Sequence, residues 1–165
     1  MKTAKNTGIS VRADFRQFLA EDLLIIAVTG ILTGAAPVLI KHYDRYIALA
    51  VVLMTVFMLS VLAIRYAMLV SVRWTVEGET LCRTSGVLSR RTDYIELYRI
   101  VDYQESRTSM QRLLGVKTVT IYSTDKSDAV SDIPGVPVDM DLVGMLREKV
   151  EDSKRERNIY EIANR

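Results

Sequence analysis

Few residues in this chain could carry catalytic or metal chemistry. Cys82 is the only cysteine and His42 the only histidine, and they lie in different segments of the sequence. A nucleophilic dyad or triad needs a cysteine or serine beside a histidine that acts as base, and a zinc site needs several Cys or His ligands. The phosphate-binding pattern Gly-x-x-x-x-Gly-Lys-Ser/Thr does not occur either. We therefore predict no catalytic residue, no metal, no cofactor and no enzymatic activity.

Two aspartates, Asp139 and Asp141, are carboxylates that could in principle bind a metal ion. They directly precede an apolar helical pattern in which Leu142, Leu146 and Val150 recur every four residues. A side chain at that position commonly accepts a hydrogen bond from the first turn of a helix. We interpret one of the two aspartates as the cap of a C-terminal helix whose apolar face packs on a sheet.

Positive charge is the one feature that suggests a binding surface, and it is carried by Arg83, Arg90, Arg91 and Arg99. Arg90 and Arg91 lie in a turn between two predicted strands, and the other two lie on the neighbouring strands. Close to a membrane, each exposed cation would contribute about 1 kcal/mol to the attraction for anionic headgroups. In the alternative interpretation, Arg90 and Arg91 only keep a turn in solvent, and Arg99 pairs with a nearby acid. The candidate acids are Glu96, Asp102 and Glu105.

Two long apolar segments must position these side chains. Residues 23–40 contain 18 residues without a charge, and residues 46–64 contain 19. At about 1.5 Å per residue, each segment just spans a hydrocarbon layer of about 30 Å. The rest of the chain is too small to surround two helices that are apolar on every side, as a soluble core would require. We therefore predict a hairpin of transmembrane helices within residues 23–66, at about 23–40 and 46–66.

Basic residues are concentrated on the outer flanks of the two segments. The first segment is preceded by Lys2, Lys5, Arg12 and Arg16, and the second is followed by Arg65, Arg73 and Arg83. Between the segments stand only Lys41 and Arg45. Because cytosolic flanks are enriched in lysine and arginine, we predict that both termini are cytosolic and that the turn lies outside.

A strip of small residues runs along the first span, where Gly30 and Gly34 form a Gly-x-x-x-Gly pair and Ala27 lies one turn earlier. Such a strip lets another helix approach closely. The partner is either the second span or a second copy of the protein, and chance occurrence is the third possibility.

Two residues are predicted to mark the membrane boundary. Arg65 ends the second apolar run, and neither span contains a charged partner for it. We predict that its side chain reaches the headgroups, whereas the alternative is a functional arginine that faces a pore. Trp74 is either an interfacial anchor or a core residue of the first strand.

The N-terminal segment, residues 1–22, is polar with a few apolar side chains. Val11, Phe15, Phe18 and Leu19 would lie on one side of a short helix. This spacing favours an interfacial helix that leads into the membrane, and a partly ordered cytosolic tail is the alternative.

After the hairpin, apolar and polar residues alternate, which is typical of strands with one buried face. Strands are predicted at residues 72–77, 80–88, 91–97, 100–104, 116–123 and 129–133. A short helix over residues 106–114 is predicted to end at Gly115, and residues 134–137 are predicted to break the last strand. With the C-terminal helix, these elements make one domain over residues 67–157, followed by a flexible tail at 158–165.

Four short motifs give the chain a resemblance to a known family. They are Trp74, the turn at residues 86–91 (GVLSRR), the strand at 95–100 (IELYRI) and the segment 112–115 (RLLG). In this order they resemble bacterial PH-domain membrane proteins of the YdbS-like type, and Glu96 departs from the proline that this family usually has there. The resemblance implies a membrane α-helical hairpin plus a PH-like β-barrel or sandwich with a C-terminal α-helix. It also implies a non-enzymatic protein of the bacterial cytoplasmic (inner) membrane.

Three functions are compatible with these features. The first is a membrane-anchored scaffold that recruits a protein partner or forms a homo-oligomer, and the second is a sensor of anionic lipid headgroups that uses Arg90 and Arg91. The third is an accessory subunit of a membrane transport or secretion assembly. The expected partners are the lipid bilayer and a protein partner or a second copy of the chain. Nucleic acid is not expected as a partner, because residues 66–165 hold 15 Lys/Arg against 16 Asp/Glu.

Overall fold

The computed structural model describes residues 9–42, 45–125 and 129–157 of the chain. Two long helices, α1 (Phe15–His42) and α2 (Arg45–Ser71), pack along each other in opposite directions. Both are long and apolar enough to cross a membrane. Within Arg45–Ser71 only Thr55 is buried, so α2 does not resemble the core helix of a soluble protein.

Strands form two antiparallel sheets, which are ordered β1-β2-β3-β4 and β5-β6-β7. The strands of the first sheet are β1 (Ser10–Arg12), β2 (Arg73–Glu77), β3 (Thr80–Ser85) and β4 (Arg91–Glu96). Those of the second are β5 (Ile100–Ser106), β6 (Val116–Ser123) and β7 (Val130–Pro137). A short 3-10 turn (Leu97–Arg99) joins the sheets, α3 (Ser109–Leu114) precedes β6, and α4 (Leu142–Glu156) follows β7.

The two sheets and α4 enclose one apolar core. Leu81 and Ile95 of the first sheet and Ile121 of the second are each at most 2% exposed. The helix α4 contributes Leu142 and Leu146, as the four-residue spacing predicts. The predicted fold class is confirmed: a helical hairpin is joined to a two-sheet β domain that a C-terminal helix closes.

The first strand lies ahead of the hairpin in the sequence, and its partner lies after it. Val11 of β1 pairs with Trp74 of β2 and is 4% exposed, so residues on both sides of the hairpin build the same sheet. The polar segment before the spans is therefore not a single amphipathic helix, because Val11 belongs to a strand and Phe15 begins α1. Pairing with β1 satisfies the backbone groups at the edge of β2.

The break predicted at residues 134–137 is wrong, since β7 continues to Pro137. Prolines are tolerated there because β7 pairs on one side only, with β6, and the register shifts between Lys117 and Val119. The observed strand β3 is shorter than the strand predicted at residues 80–88. It ends at Ser85, because Gly86 turns the chain with a φ of 114°.

Candidate functional site

An ion pair joins the two long helices at the end of the hairpin next to the domain. Arg65 Nε lies 2.6 Å from Asp22 Oδ1, and the side chains are 45% and 3% exposed. The expectation that Arg65 has no charged partner is therefore wrong, because α1 begins at Phe15 and carries Asp22 into the helix pair. Since charged groups avoid the hydrocarbon layer, this pair marks where the apolar part of the hairpin ends.

An aromatic cluster lies on the domain side of that ion pair. Tyr66 contacts Phe18 and Phe15 with ring centroids 5.4 Å and 5.9 Å apart, in edge-to-face geometry. Aromatic rings are enriched where a membrane meets water. The last turns of α2 after Arg65 thus begin with a cluster of rings that both helices share.

A cleft of about 700 Å³ lies between those last turns of α2 and the outer face of the first sheet. Three arginines line it, and each comes from a different element: Arg12 ends β1, Arg73 begins β2, and Arg90 precedes β4. Strand register brings these elements together, because Arg12 pairs with Arg73 and Arg73 pairs with Thr84. The arginines therefore converge at the end of the sheet that adjoins the hairpin.

The other residues around the cleft are of two kinds. Hydroxyl groups of Ser71, Thr75 and Thr84 line its polar part, and Tyr66, Ala67, Val70 and Val87 line its apolar part. Glu77 is the acidic residue of the lining, and it lies four residues along β2 from Arg73, or about 13 Å. The arginine end of the cleft therefore has a positive charge that Glu77 does not neutralise locally.

Within the described part of the chain, none of Arg12, Arg73 and Arg90 forms an ion pair. All three are exposed. Guanidinium groups bind phosphate through paired hydrogen bonds, and the hydroxyl group of Thr75 adds a donor. The hydroxyl groups of Ser71 and Thr84 are already engaged, with the carbonyl of Met68 and the hydroxyl of Thr92. Chemically, the cleft can accept a phosphate group at its polar end and an apolar group beside α2.

Of the four arginines that the sequence proposed for a binding surface, only Arg90 lines this cleft. Arg83 lies over the ring of Trp74, with its guanidinium carbon 5.5 Å from the ring centroid. Arg91 Nε donates a hydrogen bond of 2.7 Å to Asp93 Oδ1. Arg99 is held by acids on two sides: it lies 3.4 Å from Asp125 and 3.7 Å from Glu96. Of the acids that the sequence proposed for Arg99, Glu96 is thus a partner, and Asp125 is a further partner that the sequence did not indicate.

Trp74 is a core residue of the domain. Its side chain is 2% exposed and packs in the cluster that includes Val11 and Leu146. The alternative that it anchors the chain at the membrane interface is wrong, because the alternation of β2 turns Trp74 inward between Arg73 and Thr75.

The small-residue strip of α1 faces away from α2. Ala27, Gly30 and Gly34 are exposed, and a Cβ added at either glycine would meet no atom of the surrounding chain within 4 Å. The alternative in which this strip packs against the second helix is therefore wrong. Buried threonines occupy the contact instead: Thr29 of α1 is 3% exposed and Thr55 of α2 is 8% exposed.

A polar network ties the start of α1 to the domain. Gln111 Nε2 donates to Gln17 Oε1 at 2.9 Å and to Thr118 Oγ1 at 2.8 Å, and its Oε1 accepts from the backbone of Thr108. Gln17 in turn donates to Glu21 Oε1 at 2.6 Å. Because Gln17 and Gln111 are buried, these bonds fix the hairpin to the second sheet.

A charged cluster closes the opposite end of the domain. Arg157 pairs with Glu79 at 2.7 Å and lies 4.4 Å from the ring centroid of Tyr98. The hydrogen bond with Glu79 raises the pKa of Arg157, and a hydrogen bond with Tyr98 raises that of Arg99. These contacts hold the end of α4 and contribute nothing to the cleft.

One further titrating group lies against α4. Burial raises the pKa of Tyr103 to about 12, a net value that includes a smaller lowering by Arg147 and a smaller raising by Glu151. Elsewhere on α4, Asp141 accepts a hydrogen bond of 2.9 Å from the backbone of Gly144 and so caps the helix as expected. Within residues 9–42, 45–125 and 129–157, no cluster of His, Cys, Asp or Glu could hold a metal ion.

The sequence interpretation missed Arg12 and Arg73 as cleft residues and Asp22 as the partner of Arg65. Arg12 and Arg73 flank the hairpin, where the sequence alone indicates only that they orient it in a membrane. Their position in the sequence could have indicated that Arg12 and Arg73 lie close together, since both ends of a hairpin return to the same side of the membrane. Neither position reveals the strand pairing that brings them face to face.

Comparison with protein families supports the architecture described above. The model of the bacterial PH domain family matches residues 21–154, which is most of the chain. Comparison with curated proteins found no match, and comparison with solved structures found none either. PH domains are generally non-catalytic binding modules, and this family together with the apolar helices indicates association with a membrane or its lipids. The chain belongs to the bacterial PH domain family.

Proposed function

We propose that this protein is a membrane-anchored, non-catalytic binding module whose cleft binds the phosphate headgroup of an anionic lipid. The observation that carries the proposal is the convergence of Arg12, Arg73 and Arg90 beside the last turns of α2. A membrane-spanning hairpin would hold this cleft at the level of the headgroups. The apolar wall beside α2 would then accept the glycerol end of the lipid.

The proposal includes an orientation. The hairpin spans the bacterial cytoplasmic membrane, and the domain and both termini lie in the cytosol. Two observations support this arrangement: basic residues flank the hairpin, and β1 and β2 on either side of it pair with each other. The binding module accordingly includes β1 as well as residues 67–157.

Retention of anionic lipid by the full-length protein tests the headgroup site. The double variant Arg73→Gln/Arg90→Gln would be compared with Arg147→Gln/Arg155→Gln, which removes two exposed charges from α4 instead. In nanodiscs that contain phosphatidylglycerol, native mass spectrometry would count the lipids that remain bound. We expect retention to fall about tenfold or more in the first variant, since each exposed cation contributes about 1 kcal/mol, and to be unchanged in the second.

A second arm distinguishes a lipid from free phosphate. Inorganic phosphate added in excess should displace little phosphatidylglycerol if the apolar wall contributes to binding, and it should displace the lipid fully if the cleft recognises phosphate alone. Equal lipid retention by both double variants would refute the headgroup site.

The outward strip on α1 favours a second candidate function, self-association in the membrane. Its surface combines Ala27, Gly30 and Gly34, and no other part of the described chain covers it. Gly30→Leu/Gly34→Leu should convert a dimer into a monomer without disturbing the hairpin, because both positions are open. Val52→Leu on the exposed surface of α2 is the control, and native mass measurement in mild detergent is the readout. Identical masses for the unsubstituted chain and the glycine variant would exclude this strip as a dimer contact.

A further inference from the structure

Two apolar projections of the domain lie beside the hairpin, one next to each helix. The first is the turn between β3 and β4, where Val87 is 56% exposed and Leu88 is 103% exposed. The second is α3, where Met110 is 41% exposed and Leu113 is 80% exposed. None of these side chains belongs to the apolar core. Large apolar side chains that project in this way are candidates for contact with a membrane or a partner.

The β3–β4 turn lies at the level of the membrane boundary. Val87 lines the same cleft as Tyr66 and Val70, which follow Arg65 within α2. At about 1.5 Å per residue, Val70 lies about 8 Å along the helix axis from Arg65. Strand pairing of Ser85 with Arg91 holds the turn at this end of the sheet.

The conformation of the turn keeps its apolar side chains outside. Gly86 has a φ of 114°, and a Cβ added there would collide with the backbone carbonyl of Ser89. The turn is therefore tight, and Val87 and Leu88 project from it into the surroundings of the domain. The exposed Arg90 follows after Ser89, so the turn presents apolar residues ahead of a cation, as interfacial segments do.

The helix α3 reaches the same level on the other side of the hairpin. Met110 lines a cavity of about 470 Å³ together with Ala20 and Glu21, which directly precede Asp22 in α1. The hydrogen bond between Gln111 and Gln17 fixes this position. Met110 is thus held beside the boundary by a buried contact, and Leu113 lies about one turn further along α3.

We propose that both projections, Val87–Leu88 and Met110–Leu113, insert into the headgroup region of the bilayer that holds the hairpin. The occupant is the bilayer itself, because Val87 shares a cleft with Val70 of α2, and Met110 shares a cavity with Ala20, just ahead of the exposed apolar residues of α1 that continue from Leu23. Two such contacts on opposite sides of the hairpin fix the tilt of the domain and keep the arginine cleft open toward the lipid. Insertion requires no anionic lipid and goes beyond the headgroup binding proposed above.

A fluorescent probe on single cysteines tests this insertion in the full-length protein. Leu88→Cys and Leu113→Cys would each carry the probe, and Val130→Cys is the matched control. Val130 is also an exposed apolar residue, 57% exposed, and it pairs with Tyr122 at the end of β7 opposite the hairpin. Cys82 is 3% exposed, and labelling of the unsubstituted chain measures its contribution.

Nanodiscs of phosphatidylcholine, which contain no anionic lipid, are used. The quenching then does not depend on whether the arginine cleft binds an anionic headgroup. Spin-labelled acyl chains should quench the probes at positions 88 and 113 at least about threefold more strongly than the probe at 130, with blue-shifted emission. Quenching at either position that equals quenching at 130 overturns the proposal.

Hydroxyl-radical footprinting of the unsubstituted chain provides a second readout that no substitution can disturb. In the same nanodiscs, Leu88 and Leu113 should be modified several-fold less than Val130, although both are more exposed than Val130 in the isolated chain. Modification of Leu88 and Leu113 that equals or exceeds that of Val130 likewise overturns the proposal.

Discussion

At the level of single residues, the ion pair between Asp22 and Arg65 couples the two helices unequally. The Asp22 side chain is 3% exposed, whereas Arg65 is 45% exposed and its long side chain can reach water or headgroups alone. Removing the arginine leaves a buried carboxylate without its partner, and removing the carboxylate leaves a cation that still finds solvent. The loss of stability therefore depends on which member of the ion pair is removed.

We expect Arg65→Gln to destabilise the protein by about 3 kcal/mol and Asp22→Asn by about 1 kcal/mol. Thermal unfolding of the purified protein in detergent measures both effects. The double variant Asp22→Asn/Arg65→Gln should be more stable than Arg65→Gln alone, because no charge remains buried. Equal losses in the two single variants would mean that Asp22 is not buried in the purified protein.

Tyr103 gives the domain a predicted sensitivity to alkaline pH. Burial raises its pKa to about 12 from the ordinary value of 10. The folded protein thus retains a proton that the unfolded chain releases, so this contribution to stability is complete below about pH 10. It is lost as the pH rises from about 10 toward about 12.

Tyr103→Phe should remove this part of the alkaline decline and leave stability near neutral pH almost unchanged. The tyrosine hydroxyl is buried and has no hydrogen-bond partner in the described chain, so its removal breaks no hydrogen bond. The readout is the difference in melting temperature between pH 8 and pH 11. Tyr94→Phe, at a side chain that is 64% exposed, should retain the full decline. A decline in Tyr103→Phe as large as in the unsubstituted chain would contradict the prediction.

At the level of elements, the segment that connects β1 to α1 packs against the backbone of β7. The amide of Asp14 donates a hydrogen bond of 3.0 Å to the carbonyl of Gly135. A Cβ added at Gly135 would lie 2.8 Å from Gln17 Cβ and 3.1 Å from Ala13 Cα. Glycine is thus required at this position for contact as well as for its φ of 72°.

Gly78 offers a matched control for that contact. It also has a positive φ, 59°, but a Cβ added there would meet nothing within 4 Å. Gly78→Ala should therefore cost about 1–2 kcal/mol for conformation alone. Gly135→Ala should cost about 1–3 kcal/mol more, because the added methyl group also displaces the segment before α1.

Thermal unfolding measures the two costs, and limited proteolysis before α1 reports the displacement directly. Gly135→Ala should expose that segment to protease, whereas Gly78→Ala should not. If the two variants lose the same stability, β1 and α1 do not pack on β7 as described.

Local patterns predicted most elements, and long-range pairing explains what they missed. Strict alternation identifies β6, four-residue spacing identifies α4, and Gly115 ends α3 with a φ of 72° as expected. The strand β1 has three residues and a single buried side chain, so it has no periodicity to detect. Its partner β2 begins 61 residues after it ends, and no local preference encodes such a pairing.

The candidate site was predictable only in part for the same reason. The sequence indicated a basic turn, and Arg90 does line the cleft. Arg91 and Arg99 were equal candidates, but each has an acid within reach that depends on side-chain placement. Arg12 and Arg73 meet only through the register of β1 on β2.

At the level of the whole molecule, the hairpin interrupts the first sheet between two of its strands. β1 precedes α1 and β2 follows α2, so the sheet is complete only when both ends of the hairpin lie on the same side of the membrane. In the proposed membrane-spanning topology, the β domain cannot assemble until α2 has been inserted. Under that proposal, membrane insertion and folding of the domain are coupled, and the contact of Arg12 with Arg73 depends on both.

A disulfide between β1 and β2 tests this coupling in the intact protein. Ser10 and Thr75 pair directly, and paired residues of antiparallel strands have Cα atoms about 4.5–5.5 Å apart, within the range for a disulfide. In a Cys82→Ser background, which removes the cysteine opposite Thr75, Ser10→Cys/Thr75→Cys should oxidise readily in membranes. Ser10→Cys/Val130→Cys is the control, because Val130 lies in the other sheet.

Cleavage at a protease site inserted between Lys41 and Arg45 makes the readout unambiguous. After cleavage, the two halves of the oxidised Ser10→Cys/Thr75→Cys protein should migrate as one band on a denaturing gel, and reduction should separate them. The control pair should give two bands throughout. Two bands from the test pair as well would mean that the ends of the hairpin do not meet in one sheet. In that case Arg12 could not face Arg73, and the cleft would lose one of its three cations.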